Sequence, residues 1–109
     1  MPPAILVLTT LPTEQDARGF VRRLVEERIV ACGTVFAGVT SVYRWEGRVE
    51  ESSEAQVLLK TASSRWDDVR SAVAEHHPYD VPELLALPIA SGLDAYLRWI
   101  ASETIALEG

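Results

Sequence analysis

The sequence contains few cysteine and histidine residues, the types that form disulfides and often provide nucleophiles, bases and metal ligands. Its 109 residues include one cysteine, Cys32, and two histidines, His76 and His77. A lone cysteine cannot form an internal disulfide, which is typical of proteins of the reducing cytoplasm. Glycine-rich phosphate loops, serine elbows and paired-carboxylate motifs are also missing. We therefore expect a cytoplasmic protein that is not an enzyme.

Long apolar runs and clustered positive charge are missing too. No apolar run approaches the roughly 20 residues that cross a bilayer, and MPPAILVLTT lacks the basic residues that open a signal peptide. Ten basic and sixteen acidic residues give a net charge of −6. Nucleic acids and anionic membranes attract clustered positive charge, so neither is an expected partner. The length and composition predict a single globular domain over residues 1–109.

Capping residues ahead of apolar stripes predict the helices. Thr13 is the expected N-cap of the first helix, with Asp16 three residues later as a weak capping box. Ser64 is the expected cap of the second, which Pro78 ends because a proline disfavours helical geometry in the preceding residue. A last helix is expected over about residues 93–102. Each helix has one apolar stripe to pack on a sheet.

Four stretches between and around these helices are predicted to be strands. A continuous apolar run over 4–10 suits a central strand, and a shorter run over 83–90 contains Pro88, typical of an edge or strand end. Two alternating stretches flank a turn at 46–47, and Gly38 is a candidate β-bulge. The order β-α-β-β-α-β plus a terminal helix predicts an α+β, ferredoxin-like sandwich with a long central hairpin.

This hairpin is too long for the helices to cover. Arms of about 12 residues at roughly 3.3 Å each reach about 40 Å, whereas a helix of about 15 residues spans about 22 Å. The far half would display Val39, Val42, Tyr43 and Trp45. An exposed apolar ribbon with free edges aggregates unless another chain covers it. We therefore expect a closed oligomer in which each hairpin packs on a neighbour.

Three motifs, SVYRWEG at 41–47, LLKT at 58–61 and HPYDVPE at 77–83, occur in a characteristic order and spacing. In these motifs the chain resembles the CutA family of divalent-cation tolerance proteins, from about Ile5 to Ile100. The resemblance implies a ferredoxin-like fold assembled as a homotrimer, with divalent metal ions as partners. One departure is CGT at 32–34, where the family usually has CVN.

The resemblance also implies a copper site. In copper-binding members it consists of two helix-end histidines and a cysteine, and the histidines correspond to His76 and His77. The cysteine corresponds to Thr9, and since thiolate is the ligand that attracts soft copper, the chain is expected to bind divalent copper only weakly. No cofactor is required. From the residues alone, the pair is better interpreted as the polar end of a helix than as a metal site, with His77 at the negative end of the helix dipole.

A second group of residues corresponds to the family's clefts between neighbouring subunits. It consists of Tyr43, Trp45, Glu54, Lys60, Tyr79 and Glu83. Lys60, the single lysine, suits a carboxylate or phosphate ligand, or alternatively an intersubunit salt bridge with Glu54 or Glu83. The alternative function is thus a trimeric sensor or adaptor, similar in architecture to the PII signalling proteins, that binds a small anion or a protein partner in the cleft.

Overall fold

The structure is a computed structural model that describes residues 4–105. The strands are β1 (Ala4–Leu11), β2 (Cys32–Trp45), β3 (Arg48–Ala62) and β4 (Leu85–Pro88), and the helices are α1 (Glu14–Glu26), α2 (Trp66–His76) and α3 (Asp94–Glu103). The strands form one antiparallel sheet in the order β2-β3-β1-β4. The expected ferredoxin-like fold with a long hairpin and an extra C-terminal helix is confirmed. No helix within residues 4–105 is long and apolar enough to cross a membrane.

Helices α1 and α2 cover one face of the sheet. Val7, Val57 and Leu59 point from the strands into this layer, where they are fully buried against Leu24 and Val69 of the helices. Burying each such side chain contributes about 1.5–3 kcal/mol. The apolar stripes predicted for both helices therefore form the core.

The starts of the two helices differ in how they are capped. The Oγ1 atom of Thr13 accepts a hydrogen bond from the backbone N–H of Asp16 at 3.0 Å, so the predicted cap is confirmed. The cap predicted at Ser64 is wrong. Ser64 lies in a single 3₁₀ turn, and α2 begins at Trp66 after Arg65, which makes no side-chain capping bond. The extra tight turn brings Trp66 against the core, and this packing outweighs the local capping signal.

The hairpin has the turn and the bulge that its sequence predicts. Glu46 and Gly47 have φ of 49° and 78°, and two left-handed residues form the type I′ turn that suits twisted strands. On β2, residues 36–39 face residues 54–56 of β3, which leaves one extra residue on β2. Gly38, with φ of 65°, lies within this bulge.

The other face of the sheet is largely uncovered, and we call it the open face. Its apolar members are Leu6, Leu8, Phe36, Tyr43, Trp45, Leu58, Leu85 and Leu87. Helix α3 packs only at one end of this face, where Leu97 and Ile100 are buried with Ala4 and Ala31. The expectation of an uncovered hairpin is confirmed for this chain, since Tyr43 and Trp45 are 43% and 48% exposed.

Gly33, the glycine of CGT, lies where a larger side chain does not fit, and it provides a test of core packing. A Cβ atom there would lie 2.7 Å from Val21 Cγ1 and 2.9 Å from Leu59 Cδ2, and both side chains are buried. We expect Gly33→Ala to lower the free energy of unfolding by about 1–3 kcal/mol, because the extra methyl overpacks the core. Urea unfolding at one fixed protein concentration measures the change.

Gly19 is the matched control. A Cβ on this α1 residue would meet nothing within 4 Å, so Gly19→Ala should raise the free energy of unfolding by about 0.5–1 kcal/mol. The double variant Val21→Ala, Gly33→Ala should lose less stability than the sum of its two single changes. A Gly33→Ala protein as stable as wild type would contradict the packing described for this site.

Candidate functional site

The predicted helix end places the two histidines in different settings. Helix α2 ends at His76, and His77 is extended with φ of −82° and ψ of 134°, as Pro78 favours. The His77 ring packs edge-on against Phe20 at 6.0 Å and lies 5.1 Å from the Tyr79 ring. His76 is the last helical residue, and His77 already belongs to the connection that leads to β4.

Both ring nitrogens of His77 are engaged within the protein. The backbone N–H of Tyr79 donates to Nδ1 at 3.2 Å, so Nδ1 is unprotonated and the proton of the neutral ring is on Nε2. Nε2 then donates to the carbonyl oxygen of Thr10 at 2.8 Å. The hydroxyl of Thr9 lies 3.3 Å from the same nitrogen. In this arrangement His77 has no free lone pair for a metal ion.

Burial lowers the pKa of His77, although its hydrogen bond to Thr10 and the charge of Glu54 act in the opposite direction. The net effect keeps the imidazole neutral at neutral pH, in agreement with a ring that accepts one hydrogen bond and donates another.

His76 is the more available histidine. Its Nε2 atom lies 3.7 Å from Glu75 Oε2, and its side chain is partly exposed beside a cleft between the ends of α1 and α2. Cys32 is not near the pair, because its sulfur lies 3.4 Å from the Tyr96 hydroxyl at the α3 end of the sheet. Within residues 4–105, no group of three or more His, Cys, Asp or Glu side chains could hold a metal ion. One chain therefore offers an imidazole and a carboxylate, too few for a closed metal site.

Five of the six residues predicted for the cleft lie together on the open face. Tyr43, Trp45, Glu54, Tyr79 and Glu83 line a cavity of about 770 Å³. We call it the acidic cavity, because Asp80 adds a third carboxylate while no lysine or arginine from the described part of the chain lines it.

Lys60 is the sixth predicted residue, and the structure does not bring it to the others. It follows Glu54 by six positions on β3, which corresponds to about 20 Å along a strand. Its Nζ atom donates to Thr34 Oγ1 at 3.0 Å. Within one chain, the lysine therefore pairs with neither Glu54 nor Glu83.

Glu54 is the buried charge at the base of the acidic cavity. It is 9% exposed, and its Oε2 atom accepts a hydrogen bond from the Tyr79 hydroxyl at 2.6 Å. Burial raises the pKa of Glu54, but hydrogen bonds from Ser41, Tyr79 and Thr10 outweigh it and bring the pKa below its ordinary value. Burial and the bond to Glu54 raise the pKa of Tyr79. At neutral pH the pair is thus a carboxylate and a neutral phenol.

Sequence reasoning missed two residues of this site, Gln56, which bonds to Glu83, and Asp80, which lines the cavity. Gln56 donates from Nε2 to the Thr9 carbonyl at 2.8 Å and to Glu83 Oε2 at 3.2 Å, and so fixes one wall. A glutamine inside the apolar run AQVLL was a signal that this face of β3 meets polar partners. Asp80 could also have been predicted as a site residue, since it lies inside the HPYDVPE motif.

The hydrogen bonds of His77 predict a pH-dependent stability. Because the folded pKa is lowered, the unfolded chain binds the proton first, and stability falls as the pH drops below about 6.5. Protonation of Nδ1 would also break the hydrogen bond from the Tyr79 backbone N–H, because two donors would then face each other. We expect the unfolding midpoint to fall between about pH 7.5 and about pH 5.5 in wild type, and His77→Gln to reduce this fall. His76→Gln is the control and should retain it. An identical fall in wild type and His77→Gln would contradict the assignment.

Comparison with known proteins agrees with this fold. The CutA1 divalent ion tolerance protein family matches residues 5–103. A divalent-cation tolerance protein CutA of Thermus thermophilus is 44% identical over 99 residues, which cover 91% of this chain and 96% of that protein.

Solved structures give the same result. That of the divalent cation tolerance protein from Thermus thermophilus has a TM-score of 0.90 at 44% identity, covering 93% of this chain and 98% of that one. The crystal structure of CutA1 from Oryza sativa has a TM-score of 0.92 at 36% identity, covering 94% of each chain. This chain therefore belongs to the CutA1 family of divalent-ion tolerance proteins.

Proposed function

We propose that the protein contributes to divalent-cation tolerance as a cytoplasmic homotrimer, binds divalent copper weakly, and acts by binding rather than by catalysis. The observation that carries this proposal is the open face. It displays apolar side chains on all four strands, and within the described residues no helix covers its hairpin end. Monomeric soluble proteins rarely expose a continuous apolar surface of this kind.

The outer edge of the sheet also favours assembly. Within residues 4–105, β2 pairs with β3 alone, so its other edge leaves backbone N–H and C=O groups without strand partners. Such an edge is a template for pairing with another chain. A closed ring of identical chains covers both the edges and the open faces. Three copies are the number that the resemblance to the CutA family implies.

The homotrimer is tested by light scattering on wild type and on Trp45→Asp. Wild type should have three times the chain mass of 12.0 kDa, and its unfolding midpoint should rise with protein concentration because folding is coupled to assembly. Trp45→Asp and Tyr43→Asp should weaken assembly, since each buries an unpaired charge. Ser71→Asp, an equal charge on the exposed side of α2, should leave the mass unchanged. A 12.0 kDa wild type at micromolar concentration would overturn the proposal.

The weak copper site is proposed at the end of α2. His76 supplies an imidazole and Glu75 a carboxylate oxygen, a nitrogen and oxygen pair that suits Cu(II). His77 adds a second imidazole only if it gives up a hydrogen bond to Thr10 or Tyr79. Each such bond is worth about 0.5–1.5 kcal/mol, so His77 binds at a cost and the affinity stays low.

Calorimetric titration with Cu(II) separates the two histidines. His76→Ala should abolish the weak binding, His77→Ala should weaken it less, and binding should fall as the pH drops through about 6.5. Thr9→Cys should strengthen binding, Cu(I) most of all, because the side chain at position 9 lies 3.3 Å from His77 Nε2. Ser102→Cys, an exposed thiol on α3, is the control. If wild type binds no copper at neutral pH and Thr9→Cys adds none, the metal role fails.

The second candidate function is a trimeric sensor or adaptor with its ligand in the cleft. The acidic cavity favours it, because five residues of the family's cleft line one cavity. Lys60, which suggested an anionic ligand, is not among them. The cavity thus supports a sensor of the PII type, but it does not support an anion as the ligand.

A further inference from the structure

We propose that the acidic cavity binds an organic cation, such as an alkylammonium group. This inference deepens the second candidate function and rests on it. The cavity combines three carboxylates with three aromatic rings and several apolar side chains. Its volume of about 770 Å³ is within the range of small-molecule sites.

The charge of the cavity selects for a cation. Glu54, Asp80 and Glu83 line it, and among residues 4–105 of one chain neither lysine nor arginine does. Glu54 is nine-tenths buried, and it keeps its negative charge through the hydrogen bonds that it accepts. A cation that enters meets a charge already held in place, whereas an anion would be repelled by all three groups.

The arrangement of the carboxylates disfavours a metal ion. Calcium and magnesium need six or more oxygen ligands close around one point, and no three carboxylates in residues 4–105 converge in this way. Glu54 Oε2 already accepts from the Tyr79 hydroxyl, and Glu83 Oε2 accepts from Gln56. Dispersed charges around a wide cavity suit a bulky cation better than a bare ion.

The aromatic walls provide the second element of recognition. Tyr43, Trp45 and Tyr79 line the cavity, and the faces of such rings attract ammonium and guanidinium groups, tryptophan most strongly. Val42 and Val81 add apolar surface that suits the methyl or methylene groups of an organic cation. Because the cavity lies on the open face, a neighbouring copy in the trimer would border it, which makes it an intersubunit cleft.

The test is a titration of the full chain with tetramethylammonium chloride, followed by the NMR signal of the Trp45 indole N–H. Sodium chloride at equal ionic strength and tert-butanol, a neutral molecule of similar shape, are the reference probes. Glu83→Gln and Tyr79→Leu should each weaken binding by about tenfold, through loss of a charge and of a ring face. Glu26→Gln is the matched control. It removes an equal charge from the exposed end of α1, a helix that packs on the other face of the sheet, and should not change the affinity.

Saturable tetramethylammonium binding that follows this variant series supports the proposal. No saturation at millimolar concentration, an equal response to tert-butanol, or equal loss in Glu26→Gln would overturn it. A parallel titration with sodium phosphate distinguishes failure of the cation proposal from failure of the proposed sensor function. Phosphate binding without cation binding would overturn the cation proposal alone, and a cavity that binds neither probe would overturn both.

Discussion

The length mismatch between strands and helices is the constraint on which the rest of this structure depends. A strand advances about 3.3 Å per residue and a helix 1.5 Å. The 15 residues of β3 therefore reach about 45 Å, and the 13 residues of α1 only about 20 Å. None of the three helices in residues 4–105 can cover the whole hairpin. The open face, the unpaired edge of β2 and the acidic cavity all lie where this cover is missing.

Features set by local chemistry could be predicted from the sequence. The turn at 46–47, the bulge at Gly38 and the cap at Thr13 depend on residues within a few positions of one another. Ser64 was wrongly predicted as a cap, although its spacing to the following aspartate is the same as at Thr13. The difference comes from core residues that are distant in the chain. Trp66 packs against them, and a 3₁₀ turn before α2 places it there.

Some features of the candidate sites could be predicted from the sequence and others could not, because some depend on contacts between residues that are distant in the chain. That Lys60 lies away from Glu54 follows from strand geometry alone, since both are on β3, and the sequence could have shown it. The partners of His77 could not be predicted, because they are backbone atoms of Thr10 and Tyr79 on opposite sides of the ring. Motifs identify which residues matter to a family, but they do not show which lone pairs are already used.

The connection that follows α2 links the two candidate sites through one residue. The backbone N–H of Tyr79 donates to His77, and its hydroxyl donates to Glu54 in the acidic cavity. Copper ligation by His77 Nδ1 would displace the first bond and move a wall of the cavity. If copper at His77 lowers the affinity for a cavity ligand that contacts Tyr79, that ligand must by linkage lower the affinity for copper by the same factor. Metal and cavity ligand would then compete across this connection.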